Sequence, residues 1–252
     1  MKKLITLSLA LAFVLPLFAQ DSTTKTSTTT VKSKKRDWSK INLSNRPNDH
    51  FMLQIGYLGW AQRPDTINTK GIPRSFNMYF MFDFPFKSDP RFSVGIGAGL
   101  GTDNMYLNKM TVDITGRNSS TLSFKNVSDT NYFKKYKLMT TYAEVPVELR
   151  FAANPTNTNK SWKGAIGAKI GTLLAASTKG KNFISRSGGT LSYTEKEKSK
   201  RYFNGTRLSV TGRISKGVFG IYGAYQVNNF IKDGFDGADI RPFQIGISIS
   251  GL

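Results

Sequence analysis

Phe76-Asn77-Met78-Tyr79-Phe80-Met81-Phe82-Asp83-Phe84-Pro85-Phe86 alternates large apolar residues with a second, mixed set at every step. Period two is the strand signature; at helical spacing the same apolar side chains would scatter around the whole circumference. Downstream, Phe92, Val94, Ile96, Ala98 and Leu100 alternate with Ser93, Gly95, Gly97, Gly99 and Gly101. Near the end, Phe243, Ile245, Ile247 and Ile249 alternate with Gln244, Gly246, Ser248 and Ser250. Eight such segments of about ten residues each start near Phe51, Ser75, Arg91, Leu138, Trp162, Arg207, Val218 and Arg241.

The connections alternate in length. Lys87–Pro90, Ala152–Ser161 and Ser215–Gly217 are short, whereas Gln62–Pro73, Thr102–Lys137, Thr178–Tyr202 and Asn228–Ile240 are long. Tight turns on one rim and long loops on the other are how a transmembrane barrel is built. A soluble, lipocalin-like carrier alternates too, but points its apolar set inward and its polar set at water. Here the set opposite the large apolar residues is mostly Gly, Ser and Ala, with few charges. Small residues suit the crowded interior of an eight-stranded barrel, and six bulky ones on a single strand would overfill it. The expected fold is therefore all-β: an eight-stranded antiparallel up-and-down transmembrane barrel with short periplasmic turns and long external loops.

The N-terminus sets the compartment. Lys2 and Lys3 precede an apolar run, Leu4–Phe18, that closes on Ala19. A basic start, a short apolar stretch and a small residue at the break form a secretory signal peptide over residues 1–19. Its removal takes two lysines from a formal net charge of +20 and leaves +18. Such a basic balance would suggest nucleic acid in a cytosolic chain; export argues against that partner. The absence of cysteine excludes a disulfide framework and thiolate chemistry. Residues 20–49, Ser/Thr-rich and then basic at Lys32, Lys34, Lys35 and Arg36, read as a disordered leader, with the barrel domain at 50–252.

Within the strands, parity sends a small charged set inward: Asp83, Glu144, Glu148, Arg150, Lys169, Arg207 and Arg213. Buried charges must pair, so a lumen network is expected in which Glu144 and Glu148 meet Lys169 and one or more arginines. Its role is structural, filling the lumen and fixing strand register. Pro146 offers no amide hydrogen, which predicts a bulge or a local break in pairing. Trp60 and Trp162 fall near opposite strand ends, where an interfacial girdle or ordinary packing would each place them.

The stretch Tyr142-Ala143-Glu144-Val145-Pro146-Val147-Glu148-Leu149-Arg150-Phe151 resembles the central strand motif of the PorT-like outer-membrane β-barrel proteins, an acidic residue, an aliphatic and a proline leading into an alternating strand. The Val94–Gly101 and Arg241–Gly251 strands resemble that family as well, as does the order of signal peptide, leader and barrel. The resemblance spans about Phe51 to Leu252. It implies a barrel in the outer membrane of a Gram-negative bacterium and carries no catalytic residue; the namesake role in secretion does not transfer.

Function is expected at the outer rim. Lys134, Lys135 and Lys137 in one long loop, and Lys196, Lys198, Lys200 and Arg201 in another, outnumber the acidic residues beside them. Clustered cations suit outer-membrane lipid and lipopolysaccharide headgroups, with envelope proteins as further partners. A rim-acting barrel enzyme is the alternative from another class, but the single histidine, His50, lies at the inner end of the first strand. No metal-ligand spacing or phosphate-binding glycine loop occurs, so no cofactor is expected. A narrow gated pore is the third reading, opposed by the charges predicted in the lumen.

Overall fold

The structure, a computed structural model, describes residues 50–117, 122–232 and 239–251. The expected signal peptide (1–19) and leader (20–49) lie outside the described residues. Eleven strands follow one another: β1 (Phe51–Ala61), β2 (Arg74–Pro85), β3 (Phe92–Leu107), β4 (Met110–Val112), β5 (Phe124–Asn126), β6 (Tyr132–Ala152), β7 (Trp162–Ile184), β8 (Thr190–Lys198), β9 (Thr206–Lys216), β10 (Phe219–Gln226) and β11 (Arg241–Ser250). Eight of them pair antiparallel in the circular order β6-β3-β2-β1-β11-β10-β9-β7, and a β6–β7 ladder closes the ring. No strand edge is left open within that ring, as a hydrocarbon environment demands of any strand that crosses it.

The two faces separate by residue size. On β2, Phe76, Met78, Phe80, Phe82 and Phe84 point out, while Ser75, Asn77, Tyr79 and Met81 are buried. Ile166, Ile221 and Ile245 are each more than 60 % exposed. A continuous outer belt of Phe, Ile, Leu and Val would be a severe liability in water and is the required surface in lipid.

Glycines fall into two kinds. Gly99 faces inward, and a Cβ there would collide with the Met78 carbonyl oxygen and the Tyr79 Cα. Gly212 faces outward, with nothing within 4 Å of the same position. In the β9–β10 connection Gly217 takes φ 64, the left-handed conformation that lets two residues join adjacent strands.

The long loops depart from expectation, whereas the pairing at Pro146 is broken as expected. The long loops are shorter than the sequence implied, because β6 runs for 21 residues and β7 for 23, well past a membrane crossing. Residues 132–137 and 178–184, expected as loop, are strand, and β8 joins β7 to make a three-stranded extension, β6–β7–β8, beyond the ring. At Pro146 the ladder to β3 is interrupted opposite Gly97 and Ala98 with register unchanged. The bulge lies elsewhere, between Thr141 and Tyr142 of β6, where Leu174 of β7 is the extra residue.

The remaining loop residues fold over the mouth. Ile67, Met110, Ile114, Leu122, Phe203 and Phe230 pack with Leu58, Leu138 and Leu173 from the strand ends into one apolar cluster. Tyr136 fastens the β4–β5 hairpin to it, its hydroxyl donating to the Val112 carbonyl at 3.1 Å and accepting from the Val112 amide at 3.2 Å. Trp60 belongs to this cap, 6.1 Å from Phe124 and 5.7 Å from Phe230 between ring centres, and not to an interfacial girdle. Trp162 is exposed at the opposite rim with Lys216 over its ring at 5.6 Å.

These two kinds of glycine give a paired prediction. Gly99→Val should overpack the lumen at a cost of about 1–3 kcal/mol or more and sharply reduce the fraction of heat-shiftable barrel on a gel. Gly212→Val, on the lipid side, should leave that fraction unchanged.

Candidate functional site: a threaded lumen and a lysine-bearing wall

Arg207, at 2 % exposure, is the centre of the lumen. Its guanidinium bonds Asp103 through Nη2, Glu144 Oε1 through Nη1 at 3.1 Å, and Gln226 Oε1 through Nε at 3.2 Å. The Tyr142 ring lies 3.8 Å beneath its Cζ. Glu144 in turn accepts from Lys169 Nζ at 3.1 Å and from the Tyr79 hydroxyl. On the other side, Gln244 donates to Asp103 at 2.7 Å, Asn77 donates to Gln244 at 2.9 Å, and Asn77 also donates to Gln54 at 3.2 Å. The chain of bonds is continuous. It takes Gln54 from β1, Asn77 and Tyr79 from β2, Asp103 from β3, Glu144 from β6, Lys169 from β7, Arg207 from β9, Gln226 from β10 and Gln244 from β11, a member from every strand of the ring.

A second cluster sits nearer the short-turn rim. Glu148 accepts from Arg150 Nε at 2.9 Å and from Arg213 Nη2 at 2.9 Å, and Arg150 Nη1 lies 3.5 Å from Asp83. Arg213 also donates to Ser250 at 3.2 Å and Ser93 to Asp83 at 2.7 Å. Each cluster thus matches two carboxylates with two cations, the arrangement that makes burial of charge tolerable. All seven residues expected in the lumen lie there, but in two groups: Glu144 takes Lys169 and Arg207, Glu148 takes Arg150 and Arg213. Asp103 was missed because the sequence reading ended the third strand at Gly101. Carrying the Ser93–Gly101 parity one step further would have put Asp103 inward.

Outside the lumen, the β6–β7–β8 extension aligns lysines. Lys137 is opposite Lys179, which is opposite Lys196; one pair further out, Lys135 is opposite Lys181; one pair further in, Lys198 is opposite Ser177. Partial burial, then Lys179, Lys196 and Lys181, hold the Lys137 amine below its ordinary value. Its Nζ donates to Asn104 at 2.6 Å. Glu197 turns to the other face, 3.5 Å from Arg117. Of the residues expected to touch headgroups, Lys135, Lys137, Lys196 and Lys198 share this wall. Lys134 lies outside its lysine rows, while Lys200 and Arg201 are in the turn after β8, where the Arg201 carbonyl accepts from Lys232 at 2.8 Å. Lys179 and Lys181 complete the wall.

His50, at the inner rim, stacks on Phe80 at 5.5 Å and meets the Met81 carbonyl through Nδ1 at 3.1 Å. Among the described residues no group of His, Asp and Glu is arranged to hold a metal.

Two solved structures resemble the chain at 13 % and 14 % identity: Ail, the attachment invasion locus protein of Yersinia pestis, in complex with the heparin analogue sucrose octasulfate, and the same protein alone. The alignments cover 81 % and 80 % of this chain and 97 % of Ail, with a TM-score of 0.31 in both. No curated protein sequence matches. The profile of the outer membrane protein beta-barrel domain matches residues 63–250. The chain belongs to that outer-membrane β-barrel family.

Proposed function

We propose that this protein is a non-enzymatic barrel of the PorT-like kind in a Gram-negative outer membrane, exported with a cleaved signal peptide and carrying a leader over residues 20–49. Its sealed body holds a basic strand extension at the cell surface, where it binds anionic envelope headgroups. The observation that carries this reading is the hydrogen-bonded network through all eight ring strands. Side chains that meet across an eight-stranded lumen leave no room for a water column, and the apolar cap lies over them. The two voids beside Asp103 are each of about one water molecule, 10 Å³. A structural plug fits these facts; a gated path would need both the network and the cap to open.

The enzyme reading has little to stand on. The sole histidine is held in an aromatic stack at the inner rim, and the buried carboxylates are committed to cations. Neither is placed to activate water or a nucleophile at the outer leaflet.

Two outcomes test the proposal. Arg207→Ala leaves Asp103 without its cation while Glu144 keeps Lys169, and should cost about 3–5 kcal/mol, read from urea unfolding of the refolded barrel by gel mobility; Arg207→Met combined with Asp103→Asn should recover part of the loss. In planar bilayers the purified chain should show no steady conductance. A stable open channel in the unsubstituted protein would overturn the plug and favour the pore.

A further inference from the structure

We infer that Lys135, Lys137, Lys179, Lys181 and Lys196, with Lys198 below them, form a lateral binding site for the phosphorylated headgroup of an outer-leaflet glycolipid. This rests on the headgroup-binding reading above and gives it a place and a ligand chemistry.

Like charges set directly opposite one another in a sheet repel and destabilise it. Here three lysines stand abreast on β6, β7 and β8, with a further opposed pair beside them. Among the described residues none of the six forms an ion pair within the protein, and the Glu197 that could have balanced them faces Arg117 on the other side. An external anion set against the array would offset that repulsion. Neighbouring strands are about 4.8 Å apart and alternate residues about 6.7 Å apart. The ammonium groups therefore cover a patch of roughly 10 Å by 13 Å, suited to a ligand with more than one phosphate.

The bulge at Leu174 reverses the parity of β7: Lys169, Gly171 and Leu173 point inward below it, and Ala176, Thr178 and Gly180 point inward above it. Lys179 and Lys181 are thereby turned out beside Lys137 and Lys135. The array stands on the same wall as the lipid belt, and Lys198 is opposite Ser177, three residues along from exposed Leu174. The mouth is filled beneath its loops by a buried apolar cluster, which leaves no open cavity there for a soluble polymer to enter. A ligand anchored in the leaflet meets this wall from the side; its acyl chains lie on the belt and its phosphates reach the lysines.

The test uses the full-length barrel in phosphatidylcholine vesicles with or without a bisphosphorylated lipid A. Wild type should retain lipid A through purification. Replacing Lys137, Lys179 and Lys196 together by Gln should lower retention about fivefold per lysine, while leaving the heat-mobility midpoint in pure phosphatidylcholine unchanged or raised, since repulsion is relieved. A Lys134, Lys200 and Arg201 triple Gln variant should retain lipid A as wild type does, and a lipid A lacking phosphates should not be retained. Equal retention by wild type and the array variant overturns the inference; if the off-array variant then loses lipid A, headgroup binding survives at another place. A wild type that retains no phosphorylated lipid overturns both. An array variant that fails to fold in phosphatidylcholine makes the lysines structural and also overturns the site.

Discussion

The rest of this molecule depends on one guanidinium. Arg207 is buried with two carboxylates, an amide oxygen and an aromatic face around it, and through those partners and theirs one network takes in a side chain from every strand of the ring. A buried ion pair is weak evidence of net stability, since replacing it with apolar residues of the same volume is often neutral or better. What it supplies is register. A slip of one residue on any strand would send apolar side chains into the lumen and a charged or amide side chain into lipid, and would strand a partner in the network as well. The apolar cap adds to this by keeping water from the outer end, where solvent would screen and compete for the same bonds.

Ring closure and surface chemistry come from the same pair of strands. β6 and β7 must pair to remove the last open edges, and they continue outward past the point where β9 leaves β7. Above that point β8 takes the place of β9. The extension is thus a twisted three-stranded sheet fixed at its base by a closed barrel, and its lysines are held in cross-strand register that a flexible loop could not impose. Rigid placement matters for polyanion binding because little side-chain and backbone freedom remains to be lost when the ligand arrives.

How much of this the sequence disclosed depends on the period involved. The β2 stretch Phe76–Phe86 alternates without a break, so its faces were legible, and the lumen charges followed from parity on single strands. Which charges would meet was not legible, because contacts such as Arg207 to Asp103 join residues 104 positions apart and depend on barrel shear. Nor was the extent of β6 and β7. Their outer ends are rich in Lys, Thr and Ser, which read as loop when no second strand is known to lie alongside. The cap was hidden for a related reason: Ile67, Ile114 and Phe230 are isolated apolar residues in polar segments, and only the folded mouth brings them together.

The Leu174 bulge ties these levels together. On a regular strand, continuing the parity of Lys169 would carry Lys179 and Lys181 inward, into the cluster formed by Leu138, Leu173 and Tyr136. Two ammonium groups could not be buried there without partners. One extra residue on β7 exchanges them for Ala176, Thr178 and Gly180, which the cap tolerates, and delivers the lysines to the wall above the lipid. A bulge is a local loss of ladder pairing, and such features recur where a side chain has to be re-aimed. Here it resolves the conflict between an apolar cap inside and a cationic surface outside, on a strand that must serve both.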